Sequence, residues 1–431
     1  MIPSGKILLL LAVAGSAGTG CADSEAQAHN QAESQARQAM SDTTLRRMAI
    51  EIQPAVERAS GLVATAPLRV ALGSRAELEA YLLGQLQEQL PSEKAAAMTA
   101  AYARFGLVPD TLDLSAVLVE LYREQVVGFY DPRRDTLFVM DRVSEGLEMV
   151  LAHELVHALQ DQHVDLDSLT SLLAKDNDSG TAAQAAIEGQ ATLAMMEWQL
   201  GMDVTQLPDL GEQFAGVDIA ALGEAAGMPS ISNVPRVLRE ALIFPYIGGL
   251  IFVQRLWRER EGRPPPFGRD LPTSTEQLLH PERFADPRDE PTRVRFAEEP
   301  EGDWVEVYSD GLGELETKIF FEEHLTVPAE AGLAAQGWDG DRYRLLRGPP
   351  GEILVWATVW DSRADALEFA GAVGRAFDER YAADGGVAAA GRRIHVESID
   401  TDGRPAVLVF DMPSGSDADS SWELAQFEIE Q

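Results

Sequence analysis

The sequence predicts an α+β fold: a mostly helical core with a small β-sheet edge, then a C-terminal α+β region with antiparallel strands. Three observations predict it. Apolar residues recur at helical spacing over Arg75–Leu90, Ser144–Asp161, Thr181–Leu200 and Val237–Arg258. The Val-, Phe- and Tyr-rich stretches Gln125–Tyr130 and Thr136–Met140 flank Asp131-Pro132-Arg133-Arg134-Asp135, a hairpin pattern. Beyond Pro300, five strand patterns (Trp304–Ser309, Arg342–Arg347, Ile353–Val359, Arg392–Ser398, Ala406–Asp411) are interleaved with helical Gly313–His324 and Arg363–Tyr381.

The 431 residues, 45% of them hydrophobic, are enough for two or three packed domains. With 36 Gly and 23 Pro, usage is ordinary, which argues against a fibrous or largely disordered chain. A net charge of −35 argues against nucleic-acid partners and against electrostatic docking on anionic lipid, and favours a field that attracts cations.

Taken in order, the chain opens with Lys6, an eight-residue apolar run Ile7–Ala14, and the small residues Gly15–Gly20 before Cys21. This reads as a signal peptide over 1–20, and is similar to a bacterial lipoprotein signal although Gly18 stands where Leu is usual. Cys21, the single cysteine, is the expected lipidation site, so the membrane is expected as a partner through a lipid anchor only. Residues 21–42, rich in Ala, Gln, Ser and Glu, read as a disordered tether containing His29. A helix is expected from Thr43, a strand over Leu68–Leu72, and helices over Arg75–Leu90 and Ser115–Glu124. Asp176–Gly180 reads as a break in a loop over Asp165–Gly180 before the Thr181–Leu200 helix. Val237–Arg258 reads as a core helix bent at Pro245, too short in its apolar part (Phe244–Val253) to span a bilayer. These elements group as a core over 43–260, a Pro-rich connection over 261–299 and the C-terminal region over 300–431. Within the latter, Gly337-Trp338-Asp339-Gly340-Asp341 reads as a turn, Ser416–Asp419 as a solvated acidic loop, and His324 and His395 as structural.

The chemistry lies in His153-Glu154-Leu155-Val156-His157. Two histidines four apart on a helix are separated by about 40° around its axis, so both imidazoles reach one metal ion. Glu154, about 100° from His153, can hold a metal-bound water and take its proton. Zinc brings the pKa of such water to about 7. A third ligand is needed, and two residues compete. Glu188, a lone carboxylate among small and apolar neighbours, is costly to bury unless it binds a metal or is paired. His163, ten residues after His153, reaches the ion only if the helix ends at Gln160. Glu188 is favoured, with Gly189 and Ala191 expected to let its helix approach the first closely. For the developing oxyanion, His280 is the leading donor and Tyr246 the second.

His-Glu-x-x-His with a later helical Glu, together with Gly128-Phe129-Tyr130-Asp131-Pro132, Ala152–Gln160 and Glu188-Gly189, resembles the gluzincin zinc metallopeptidases, of thermolysin-like or peptidase-MA-like type. The resemblance spans residues 115–200 well and 271–284 loosely. It implies a zincin-like core, zinc bound by His153, His157 and Glu188, Glu154 as general base, a peptide or protein substrate, and either the Gly128–Tyr130 or the Thr136–Met140 strand as the edge that pairs with an extended peptide. Thermolysin-like enzymes place an Asp four residues after the ligand Glu; here that position is Thr192. The rival expectations are a non-catalytic zinc-binding envelope protein and a metal-dependent amidase acting on cell wall.

Overall fold

A computed structural model describes residues 41–125, 127–140, 146–173, 175–217, 229–296, 300, 302–416 and 424–430. The signal segment, Cys21 and nearly all of the tether lie outside the described residues, as do residues 417–419 of the acidic loop. The tether reading ends two residues late: Ser41 caps the first helix, accepting from Thr44 N, and Asp42 is its first residue.

The described helical part comprises α1 (Asp42–Ser60), α2 (Arg75–Gln89), α3 (Ser92–Phe105), α4 (Leu114–Gln125), α5 (Leu147–Asp161), α6 (Leu166–Leu173), α7 (Asn177–Leu200), α8 (Leu210–Phe214) and α9 (Arg236–Glu259). Its three-stranded sheet has the order β1 (Val70–Gly73), β3 (Thr136–Met140), β2 (Gly128–Asp131), with β1 parallel and β2 antiparallel to β3. The hairpin is therefore as expected, but β3 is the central strand. Of the two strands proposed for peptide pairing, only β2 is an edge.

Two short helices, α10 (Glu276–Leu279) and α11 (Pro281–Phe284), lead to β4 (Arg293–Phe296), which pairs with β10 (Phe427–Glu430). The C-terminal sheet is antiparallel, with order β5 (Val305–Asp310), β6 (Trp338–Gly348), β7 (Gly351–Trp360), β9 (Arg404–Pro413), β8 (Arg392–Thr401). Helices α12 (Gly313–His324), α13 (Pro328–Ala335) and α14 (Arg363–Arg380) accompany it. The chain is thus α+β. One hydrophobic cluster crosses the expected boundary near residue 300, joining α2–α4 and α9 to α12, β6, β7 and α14. Phe105 is central to it, meeting Tyr343 and Trp356 edge-on at 5.1 and 5.2 Å.

Two local readings change, and one is kept on different grounds. The loop over Asp165–Gly180 contains α6, and its supposed break is the start of α7. Asp176 caps that helix by accepting from Ser179 N, and Asp178 lies in the first turn, where the helix dipole favours a carboxylate. Of Gly337–Asp341 only Gly337 is in a turn; Trp338–Asp341 form the first part of β6, bulged between Trp338 and Gly340. The Asp341 carboxylate accepts from the Trp338 and Trp356 indoles and from Leu312 N and Gly313 N at the start of α12. Finally, α9 is 24 residues long and apolar enough to cross a membrane, yet 67% of its apolar window is buried within the fold, as in a core helix.

Helices α7 and α9 approach each other at backbone contact. A Cβ on Gly249 would lie 1.8 Å from Ala185 O, and one on Gly189 would lie 2.1 Å from the Gly249 carbonyl carbon. Gly189 therefore serves the approach to α9, not the expected approach to α5. Gly249→Ala must push backbone apart, and overpacking of this kind costs about 1–3 kcal/mol. Its urea midpoint should fall clearly below that of wild type. An unchanged midpoint would show that the two helices are free to separate.

Candidate metal centre

The helix α5 is buried on every side from Val150 to Gln160, packed among α1, α7, β2 and β3. Polar residues are expensive in such a setting, yet four occur within eight positions: His153, Glu154, His157 and Gln160. They share a need for partners; α7 supplies them to His153, His157 and Gln160, and β2 supplies one to Glu154.

His153 Nε2 and His157 Nε2 are 3.0 Å apart, and Glu188 Oε2 lies 3.2 Å from the first and 3.4 Å from the second. All three residues are buried. An N–H points at one partner, so protons cannot bridge all three sides of this triangle. A tetrahedral zinc with donors at about 2.0–2.1 Å sets neighbouring donors about 3.3–3.4 Å apart, close to the separations present. Two imidazoles and a carboxylate, with room for a further ligand, fit zinc in both donor type and spacing. Burial pushes the Glu188 carboxyl up, but the two imidazoles beside it outweigh that and hold it below the usual carboxylate range.

His163 does not join them. The helix continues through Gln160 to Asp161, and the His163 ring bonds Leu159 O through Nδ1 at 2.8 Å. Tyr246, on α9, is brought to the site: its ring centroid lies 6.4 Å from that of His153. His280 Nε2 lies 2.6 Å from Glu314 Oε1, at the start of α12, and Glu282 lies on the other side of the ring. The carboxylates Glu276, Asp289 and Asp361 converge on the Arg283 guanidinium.

Glu154 Oε2 accepts from Tyr130 N at 2.7 Å, and the Tyr130 hydroxyl donates to Asp161 Oδ2, also at 2.7 Å. The edge strand β2 is thereby tied to α5 at both ends of one residue. An open cleft of about 710 Å³ reaches His157 and Glu188. One wall is the Tyr81–Phe129 stack, with centroids 4.4 Å apart, and Leu166, Thr170 and Ile187 stand on the other sides. Arg133 spans its rim, paired with Glu88 and Asp167.

The support around the ligands was not foreseen. Thr192 stands in the position of that Asp, and among the described residues its buried hydroxyl has no hydrogen-bond partner. The His157 ring is held instead by Gln160, whose Oε1 lies 2.8 Å from Nδ1. The signal for Gln160 was available: it lies three residues after His157 and is polar in an apolar helix.

The His280 pair gives a pH test away from the metal centre. The Glu314 carboxylate bonded to it raises the imidazole above its usual 6.5 despite burial. Its stabilising contribution is complete below about pH 6.5 and is lost as pH rises through the folded-state value. Between about pH 6 and pH 9, wild type should lose more stability than His280→Gln. Parallel losses would show that the pair carries no linked proton.

Residues 303–419, the C-terminal sheet and its helices, match the model of a family described as a domain of unknown function (DUF8575). That match contains none of His153, Glu154, His157 and Glu188. No curated protein and no solved structure matches the chain.

Proposed function

We propose that the chain is an exported zinc-dependent peptidase acting on peptide or protein substrates. The observation that carries the reading is the closed triangle of His153, His157 and Glu188 donor atoms at an open cleft, with Glu154 next to His153 in the same buried helix. A zinc ion held by these three residues would lower the pKa of a bound water and polarise the scissile carbonyl.

The protein residues divide the remaining work. Glu154 accepts the proton of the attacking water and passes it to the leaving amine. Its orientation is maintained by the Tyr130 amide. Tyr246, packed against His153, is the oxyanion donor that remains once His280 is committed to Glu314. The apolar wall of Tyr81, Leu82 and Phe129 gives substrate side chains a surface to cover, and the buried surroundings of the ligands limit competing water. Lipid on Cys21 would hold the enzyme in the cell envelope.

Glu154→Gln should lower turnover of an unfolded protein such as casein by about 10²–10⁴-fold while stoichiometric zinc is retained. Undiminished turnover would remove Glu154 from the chemistry. Zinc binding without turnover in wild type would favour the envelope zinc-binding reading, and cleavage of peptidoglycan fragments in place of casein would favour the amidase. Cys21→Ala should move the exported chain from the membrane to the soluble fraction, and retention at the membrane would contradict lipid anchoring.

A further inference from the structure

The hydrogen bonds behind His157 run in one direction. Gln190 Nε2 lies 2.9 Å from Ser60 O at the end of α1. Gln160 Nε2 lies 2.9 Å from Ile187 O and 3.0 Å from Gln190 Oε1. Gln160 Oε1 then faces His157 Nδ1. Ser60, Gln160 and Gln190 are fully buried, and His157 is nearly so.

A backbone carbonyl only accepts hydrogen bonds. Ser60 O therefore requires the NH₂ end of Gln190, which turns Gln190 Oε1 towards Gln160. Ile187 O and Gln190 Oε1 both require the NH₂ end of Gln160, which turns Gln160 Oε1 towards the imidazole. Flipping either amide would set oxygen against oxygen in a buried site, leaving acceptors unmatched. An amide oxygen can only accept, so His157 Nδ1 must carry the proton.

We propose that Gln160 and Gln190 are positioning residues that fix His157 as its Nδ1–H tautomer, with the Nε2 lone pair presented to His153 and Glu188 before any ion arrives. His153 differs, because its buried Nδ1 has no hydrogen-bond partner among the described residues. The polarity of the ligand set is imposed through His157, and two backbone carbonyls on α1 and α7 are its origin. The proton on Nδ1 follows from hydrogen-bond geometry alone; its value for metal binding rests on the zinc reading above.

The test is nitrogen-15 NMR of histidine side chains in the full metal-free chain near pH 8, with the His157 signals assigned by their loss in His157→Asn. Wild type should show a protonated Nδ1 and an unprotonated Nε2. Gln190→Leu, which leaves the imidazole untouched, should show a mixture of tautomers, and Gln160→Met a larger loss of the Nδ1–H form. Chelator competition should show zinc affinity weakened by about 10–100-fold in Gln160→Met. A protonated Nε2 in wild type, or tautomers and zinc affinity unchanged in both variants, would overturn the proposal. If Gln160→Met does not fold, the wild-type spectrum and Gln190→Leu still decide. A locked Nδ1–H form in a chain that binds no zinc would support the positioning role and defeat the zinc reading.

Discussion

A buried carboxylate on one helix faces two buried imidazoles on another, and the surrounding packing depends on keeping them together. Glu188 is 4% exposed, and an isolated charge there would be prohibitively costly. The cost is offset only while α7 stays against α5. The α7 helix is clamped from behind by the Gly189–Gly249 contact with α9, which leaves no space even for a methyl group. Successive helical residues differ by about 100° in direction, so α7 can present Glu188 to the imidazoles and Gly189 to α9.

The C-terminal region and the connection that precedes it both bear on the same helix. Asn177 N donates to Asp310 Oδ1 at 3.0 Å, and Thr275 N donates to Asp178 Oδ1 at 3.1 Å. Burial pushes the Asp178 carboxyl well above the usual range, so it sits in the first turn of α7 as a polar anchor fitted by Thr275. Together with Phe105 inserted against β6 and β7, these bonds make the antiparallel sheet a support for the helix that carries Glu188. The part of the chain that resembles a domain family and the part that carries the candidate chemistry are thus mechanically joined.

Features governed by local periodicity were legible in the sequence. His153 and His157 share a face because of helical spacing, the β2–β3 hairpin follows from residue type and turn composition, and Gly313–His324 has the bounds of α12. Glu188 was legible because a lone carboxylate among alanines needs a reason. Features that depend on distant partners were not. His280 lies beside a Pro-rich segment, but nothing local indicates that Glu314, 34 residues away, takes its Nε2. Pairing of β4 with β10 joins segments more than a hundred residues apart. The capping role of Asp176 was mistaken for a chain break because caps and turns draw on the same residues. Gln160 was weighed only as a position where a helix fails to end, and its role emerges once Ile187 and Gln190 are beside it.

The central claim is that His153, His157 and Glu188 form one zinc site. Metal content by elemental analysis of the full chain, followed by zinc-edge anomalous diffraction from its crystals, tests this most directly. The account predicts one zinc per chain, bonded to Nε2 of both histidines and to the Glu188 carboxylate. A chain purified with no stoichiometric metal, or an ion bound without Glu188, would contradict it.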